Sequence, residues 1–298
     1  MTRLPDFLII GAAKAGTTTL YEILRQHPQV FLPAAKEPAF FSDDSCFEKG
    51  VAWYRETYYR NAGEARRIGD ATSMYLAWGT KVVPRLAGAY GGSLPRIIAI
   101  FRDPVALTHS YYWHSVREGR ETLPFRDALD AEATRSAQHQ AYLERSGRLF
   151  YCYRQVASYA THLEPYLAHV PASRRLFLLT DDLKDFPALV RRLEAFLELD
   201  HAPDLQPAVS NAAAMPRSHA LQRWLRKRSV LKEIVKPIVP ERIRQQWKMR
   251  AIAANLTPFT IPALDPDLAR DIRRHYAPEM RRLEAIVGRD LSAWYGES

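Results

Sequence analysis

The stretch Phe7-Leu8-Ile9-Ile10-Gly11-Ala12-Ala13-Lys14-Ala15-Gly16-Thr17-Thr18-Thr19-Leu20 leaves this chain few folds to choose from. Four apolar residues running into a glycine read as a buried strand that ends in a tight turn. A lysine, a second glycine and three threonines follow, and then Leu20, Tyr21, Ile23 and Leu24 at helical spacing. Strand, glycine-bounded loop and helix N-terminus together make an anion cradle. Backbone N–H groups and the positive end of the helix dipole converge there, and the threonine hydroxyls add donors. A chain of 298 residues has room to build one large α/β domain around such a unit.

The loop shares the glycine spacing of a Walker P-loop but not its lysine. The Walker form places lysine directly after the second glycine, where it meets the β- and γ-phosphates of a metal-bound triphosphate. Here Thr17 holds that place and the cation sits earlier, at Lys14. Moving the cation into the loop suits a different anion.

A second strand end carries a second cation. Arg96-Ile97-Ile98-Ala99-Ile100-Phe101 is a fully apolar strand, followed by Arg102 and by Asp103-Pro104, which opens a helix at Val105. Ser110 lies on the second turn of that helix. Ligands of open α/β sheets bind at the carboxyl edge, where Arg102 and Ser110 can reach one anion together. A local Arg102–Asp103 pair is the plainer alternative. Two anion sites at neighbouring strand ends suit a nucleotide with phosphates at both ends of its ribose.

Between these strands runs Lys36-Glu37-Pro38-Ala39-Phe40-Phe41, a charged pair set against aromatics. A carboxylate beside apolar rings can have a raised pKa and accept a proton. On local sequence alone, a solvated glutamate before a proline is the simpler reading. Elsewhere, Val30–Pro33 reads as a short extended piece, and Arg67–Asp70 and Arg174–Thr180 as strands. Val51–Tyr59, Lys81–Tyr90, Phe150–Val170, Leu189–Leu197 and 265–287 read as helices, the last opened by Asp265-Pro266. The expected fold is therefore a single α/β domain over 1–298, with a central parallel β-sheet flanked by helices and a P-loop-like core.

Charge is unevenly placed. Arg217 to Arg250 holds eleven Lys/Arg against two acids, so this block alone matches the net charge of +9. The rest is close to neutral, which argues against a nucleic-acid surface spread over the fold. Within 212–262 the block reads as a basic helical lid or appendage broken by Pro237 and Pro240. A lid over the cleft is one use for it; a peripheral membrane contact through 217–250 is the other. No apolar run approaches a membrane span, and two lone cysteines fit a reducing, cytoplasmic setting. No compact His/Cys/Asp cluster suggests a metal.

Taken in order, these motifs resemble sulfotransferases that use 3′-phosphoadenosine 5′-phosphosulfate (PAPS), and are most similar to bacterial relatives of the heparan sulfate N- and 3-O-sulfotransferase branch. Lys14 to Leu20 is similar to the 5′-phosphosulfate loop, and Arg102-Asp103-Pro104 with Ser110 to the 3′-phosphate motif. Tyr111 to His114, the Gly50-to-Tyr54 passage and Leu283 to Trp294 also resemble the bacterial members. The resemblance implies that Lys14, Ala15, Gly16, Thr17, Thr18 and Thr19 hold the 5′-phosphosulfate, and that Lys14 also steadies the leaving oxygen. Arg102 and Ser110 would bind the 3′-phosphate, with Arg217 as a further ligand by its position in the bacterial pattern. Glu37 matches the catalytic base, which reverses the plainer local reading. His109 and His114 are rival bases, with capping or core contacts as their bland role.

The implied reaction is metal-free transfer of a sulfuryl group from PAPS to a hydroxyl or amine of a carbohydrate, lipid or small molecule. One position departs from the pattern: Ala71 stands where heparan sulfate enzymes carry a lysine, which puts a heparan-like acceptor in doubt more than the chemistry. The rival readings are a P-loop kinase or NTPase and a non-enzymatic anion- or lipid-binding protein. Neither acceptor identity nor oligomeric state is legible in the sequence.

Overall fold

The computed structural model describes residues 3–208, 214–216, 218 and 256–296. Its core is a five-stranded sheet, all parallel, in the order β2-β3-β1-β4-β5, with β1 Phe7–Gly11, β2 Val30–Phe31, β3 Arg67–Ala71, β4 Arg96–Phe101 and β5 Arg175–Leu179. The two central strands are apolar along their length because both faces are covered. Phe7 to Ile10 and Ile97 to Phe101 are all fully buried.

The chain goes from β1 to the edge strand β2, returns inward to β3 beside β1, then crosses to β4 and β5 on the other side. The reversal falls between β1 and β4, which leaves a crevice at their carboxyl ends. Register brings Leu8 opposite both Asp70 of β3 and Ile97 of β4. The loops that follow β3, β1 and β4 therefore open side by side at one edge.

The flanking helices are α1 Thr17–Gln26, α2 Asp44–Phe47, α3 Gly50–Tyr59, α4 Gly79–Tyr90, α5 Pro104–Arg117, α6 Phe125–Asp130, α7 Glu132–Ser146, α8 Tyr159–His169, α9 Phe186–Leu197 and α10 Pro266–Val287. The predicted starts have a visible cause. Asp103 accepts from Ala106 N–H at 2.7 Å ahead of Pro104, and Asp265 accepts from Leu268 N–H at 2.9 Å ahead of Pro266. Gly288 ends α10 in the left-handed conformation.

One expectation needs correction. Phe150–Val170 is not one helix: only Tyr159–His169 is, and 150–158 is a run of turns. Tertiary bonds displace the helix there. Tyr153 donates to Glu121 Oε2 at 2.6 Å, the Arg154 N–H donates to the Glu132 carboxylate at 2.8 Å, and Tyr151 takes φ 64°. At the two ends of the 212–262 segment the described residues form an antiparallel ribbon, while the basic stretch read as helical lies outside them. The ribbon's strands β6 Ala214–Pro216 and β7 Leu256–Pro258 pair Ala214 with Pro258 and Pro216 with Leu256, and β6 runs beside α5. The basic block 219–255 and Arg217 lie outside the described residues.

Among the described residues, no helix is long and apolar enough to cross a membrane.

Candidate functional site

The loop between β1 and α1 is built for close approach. Gly11 leaves the strand where an added Cβ would sit 2.7 Å from Leu76 Cβ and 2.8 Å from the Ser73 carbonyl oxygen. Gly16 has φ 114°, and a Cβ there would lie 2.7 Å from Leu183 Cδ1. Both positions therefore require glycine. Gly16 is also the N-cap of α1 and offers no side-chain acceptor, and no acidic residue stands in the first turn. The leading N–H groups of α1 are left for an outside anion.

The loop is stitched to its neighbours. Ala12 N–H donates to the Ile100 carbonyl at 2.8 Å, and the Thr180 hydroxyl stands 3.0 Å from both the Ala15 and Phe101 carbonyl oxygens. Arg102 leaves the end of β4 and donates from Nη1 to the Lys14 carbonyl at 3.2 Å, while its own carbonyl accepts from Tyr159 Oη at 2.9 Å. The guanidinium is thus turned toward the loop, not paired with Asp103, whose carboxylate caps α5. The local-pair alternative for Arg102 fails.

Lys14 itself has φ 67°, a conformation a non-glycine residue holds only when its surroundings insist. Its ammonium is pushed down to about 8, first by burial and then by the positive charges of Arg117 and Arg102. Cations crowded into one partly buried place are an anion site by their own electrostatics.

These residues share one cleft of about 1360 Å³. Ala15, Gly16, Thr17, Thr18, Thr19, Lys14, Arg102, Ser110 and Glu37 all line it, so every expected site residue that the structure describes is brought together. Arg217 lies outside the described residues. The cleft also holds residues the sequence did not single out: Ser73, Arg117, Arg120, Arg148, Thr180 and Phe259. A signal existed for Arg117, because Ser110, His114 and Arg117 stand at i, i+4 and i+7 of α5 and so share one face. Arg148 and Phe259 arrive from distant loops and carry no local signal.

Glu37 sits at this cleft in a setting unlike the one expected. Its carboxylate is not perched among rings with a raised pKa. Burial pushes it up, but the Lys36 charge, hydrogen bonds from Lys36 and Ser73, and the charge of Arg148 outweigh that and hold it below the usual glutamate range. Lys36 Nζ reaches Oε1 at 2.9 Å, and Ser73 Oγ donates to the same oxygen at 2.8 Å. About a third of the side chain, 37 %, stays open to the cleft. Glu37 is therefore an ionised acceptor whose Oε2 takes no hydrogen bond among the described residues.

The rival bases are otherwise engaged. His109 Nε2 accepts from Trp113 Nε1 at 2.8 Å, and His114 Nδ1 faces the Arg117 guanidinium at 2.9 Å. Burial, then the charge of Arg102, pulls His109 below the ordinary histidine value. Among the described residues, no group of three or more His, Cys, Asp or Glu side chains is placed to hold a metal ion.

Comparison with known proteins gives a consistent result. Residues 4–283 match a family described as the sulfotransferase domain. The mouse (Mus musculus) heparan sulfate glucosamine 3-O-sulfotransferase 3A1 is 34% identical over 198 residues, which is 66% of this chain and 46% of that protein. The chain thus spans about half the length of the curated relatives it matches. The crystal structure of a sulfotransferase from Alicyclobacillus acidocaldarius superposes with a TM-score of 0.67 at 27% identity, covering 98% of this chain and 99% of that one. A mouse sulfotransferase, SULT7A1, complexed with PAP shares the fold at a TM-score of 0.50 and 17% identity, over 94% of this chain and 85% of that one.

Proposed function

The chain belongs to the sulfotransferase domain family, and from that premise we propose that it transfers a sulfuryl group from PAPS to a hydroxyl, or an amine, of a saccharide. One observation carries the reading. Lys14 and Arg102, delivered by the ends of adjacent strands β1 and β4, face a single cleft that also contains Glu37.

The cleft's residues fit such a donor. Uncapped N–H groups of α1, the Lys14 ammonium and the Thr17 and Thr18 hydroxyls suit a 5′-phosphosulfate. Arg102 and Ser110 suit a 3′-phosphate, which sets this donor apart from ordinary adenine nucleotides. Arg217 is a further candidate for that phosphate. The donor supplies an activated sulfuryl group, and the chain's residues do the rest. Glu37 accepts the proton of the acceptor hydroxyl as that oxygen bonds to sulfur. The electron pair of the breaking sulfur–oxygen bond departs on the 5′-phosphate, where Lys14 and the loop amides stabilise the growing charge. Fixed donors at that position are usually the largest catalytic contribution.

Besides Lys14 and Arg102, the cleft wall carries Lys36, Arg117, Arg120 and Arg148 against Glu22, Glu37 and Glu118, an excess of positive charge. That supports a saccharide bearing acidic groups, in keeping with relatives named for heparan sulfate. Ala71, which stands where heparan sulfate enzymes carry a lysine, is buried at the end of β3 and brings no charge to the cleft. The kinase reading has less support, since Thr17 replaces the Walker lysine and Arg102 stands where a metal-binding acid would be expected. For the ribbon-bracketed block at 212–262 we favour a lid, supported by Phe259 and Ile261 in the cleft wall and by the 5.1 Å ring contact of Phe259 with Trp113. A cytoplasmic setting is proposed on the free thiols of Cys46 and Cys152.

Calorimetry tests the donor assignment. Adenosine 3′,5′-bisphosphate should bind and ATP–Mg²⁺ should not. Incubation with ³⁵S-labelled PAPS should label heparan sulfate in preference to dextran. Absence of heat with the bisphosphate, or unchanged affinity after replacing both Lys14 and Arg102 by alanine, would sink the proposal.

A further inference from the structure

The loop carrying Glu37 is held by groups that the transfer reaction does not touch. Glu37 and Ala39 both have positive φ, 62° and 55°, which non-glycine residues keep only where their surroundings over-determine them. The surroundings here are the residues just after β3. The Ala71 carbonyl accepts the Glu37 N–H at 3.2 Å, Thr72 Oγ1 accepts the Ala39 N–H at 3.2 Å, and Tyr75 Oη accepts the Phe41 N–H at 3.2 Å.

A hydroxyl has one proton and can receive a loop amide cleanly only if that proton points elsewhere. Both hydroxyls direct it to Asp70: Thr72 Oγ1 donates to Oδ1 at 2.7 Å and Tyr75 Oη to Oδ2 at 2.9 Å. Tyr54 Oη adds a third donor at 2.6 Å, and its ring stacks on Phe40 of the loop at 4.3 Å. Asp70 has no exposed surface, and among the described residues no lysine or arginine bonds to it. Burial raises its pKa, opposed by the three hydroxyl bonds. A buried carboxylate without a cation is an expensive way to fill space. An acceptor-only group is nevertheless what makes several hydroxyls point the same way.

We propose that Asp70 is a positioning residue for Glu37. Its carboxylate orients the Thr72 and Tyr75 hydroxyls so that they accept the Ala39 and Phe41 amides and fix the left-handed turn that presents Glu37 to the cleft. This rests on the reading of Glu37 as the base.

Two readouts on the full chain separate the claims. Hydrogen–deuterium exchange over 36–41 should quicken at least about tenfold in Thr72→Val, which keeps the shape but loses the hydroxyl, and stay near wild type in Thr72→Ser. Turnover with ³⁵S-labelled PAPS and heparan sulfate should fall about tenfold to a hundredfold in Thr72→Val, with the donor KM unchanged and Thr72→Ser restoring it. Asp70→Asn should behave as Thr72→Val. If it does not fold, Tyr75→Phe removes the second hydroxyl and takes its place. A Glu37→Gln/Thr72→Val double variant should be no slower than Glu37→Gln. Unchanged exchange in Thr72→Val, a serine variant as slow as the valine one, or additive losses in the double variant would overturn the positioning role. Wild-type turnover in Glu37→Gln would instead overturn the base assignment, leaving the exchange result to report on the clamp alone.

Discussion

Lys14 makes donor binding a proton-linked event with a definite sign. In the ligand-free protein, burial and the neighbouring Arg117 and Arg102 charges push its ammonium down to about 8. A phosphate placed against it favours the charged form and returns its pKa toward the usual lysine value. The bisphosphate must therefore bring a proton with it wherever the free lysine is partly neutral. From a two-state titration about that pKa, uptake should be about half a proton per ligand near pH 8 and about 0.9 near pH 9. Raising the pH from about 7 to about 9.5 should weaken binding about thirtyfold, or about 2 kcal/mol, since each pH unit above the free pKa contributes about 1.4 kcal/mol. The ligand stays dianionic at its phosphates over this range, because the second phosphate ionisation lies near about 6. The assay is calorimetry with adenosine 3′,5′-bisphosphate in buffers of different ionisation enthalpy, repeated with Lys14→Met. The variant should bind more weakly and without the pH slope. Proton release on binding, or an equal slope in Lys14→Met, would refute the reasoning.

Four further outcomes follow from the site. Glu37→Gln should keep bisphosphate affinity while lowering turnover by about two orders of magnitude or more. In the wild type, because Lys36 and Ser73 hold the Glu37 carboxylate below the usual range, the acid limb of the rate profile should fall below the ordinary glutamate value. Arg102→Ala should weaken the bisphosphate by about 2 kcal/mol, the worth of a charge-assisted hydrogen bond, while leaving adenosine 5′-phosphate nearly unaffected; competition calorimetry reads the difference. Gly16→Ala meets both φ 114° and a 2.7 Å contact with Leu183. It should lower the melting temperature, at a cost of about 1–3 kcal/mol, and remove bisphosphate binding.

How far the site was legible follows from where each residue's information lies. Lys14, Gly16 and Arg102 sit beside apolar strands whose burial is plain in the sequence, so strand end and cation could be read together. Asp103-Pro104 and Asp265-Pro266 gave helix starts for the same local reason. Glu37 was a local candidate, but it was preferred as base only through family resemblance, since nothing adjacent reveals that Ser73, 36 residues onward, donates to it. Its pKa direction was misjudged because Phe40 and Phe41 turn away into the core, both fully buried. The turns at 150–158 depend on tertiary bonds to Glu121 and Glu132, and Arg148 reaches the cleft from the loop after α7; no local pattern encodes either. Helix α7 was missed because its exposed, polar residues supply no apolar stripe to detect.

The ribbon formed by 214–216 and 256–258 has an architectural consequence. Since Pro216 faces Leu256, the polypeptide leaves and re-enters the domain at adjacent points, about 5 Å apart as paired strands require. The ribbon borders α5, and Phe259, directly after β7, meets Trp113 of that helix at 5.1 Å, so the point of exit and the point of return are both moored to the wall of the cleft.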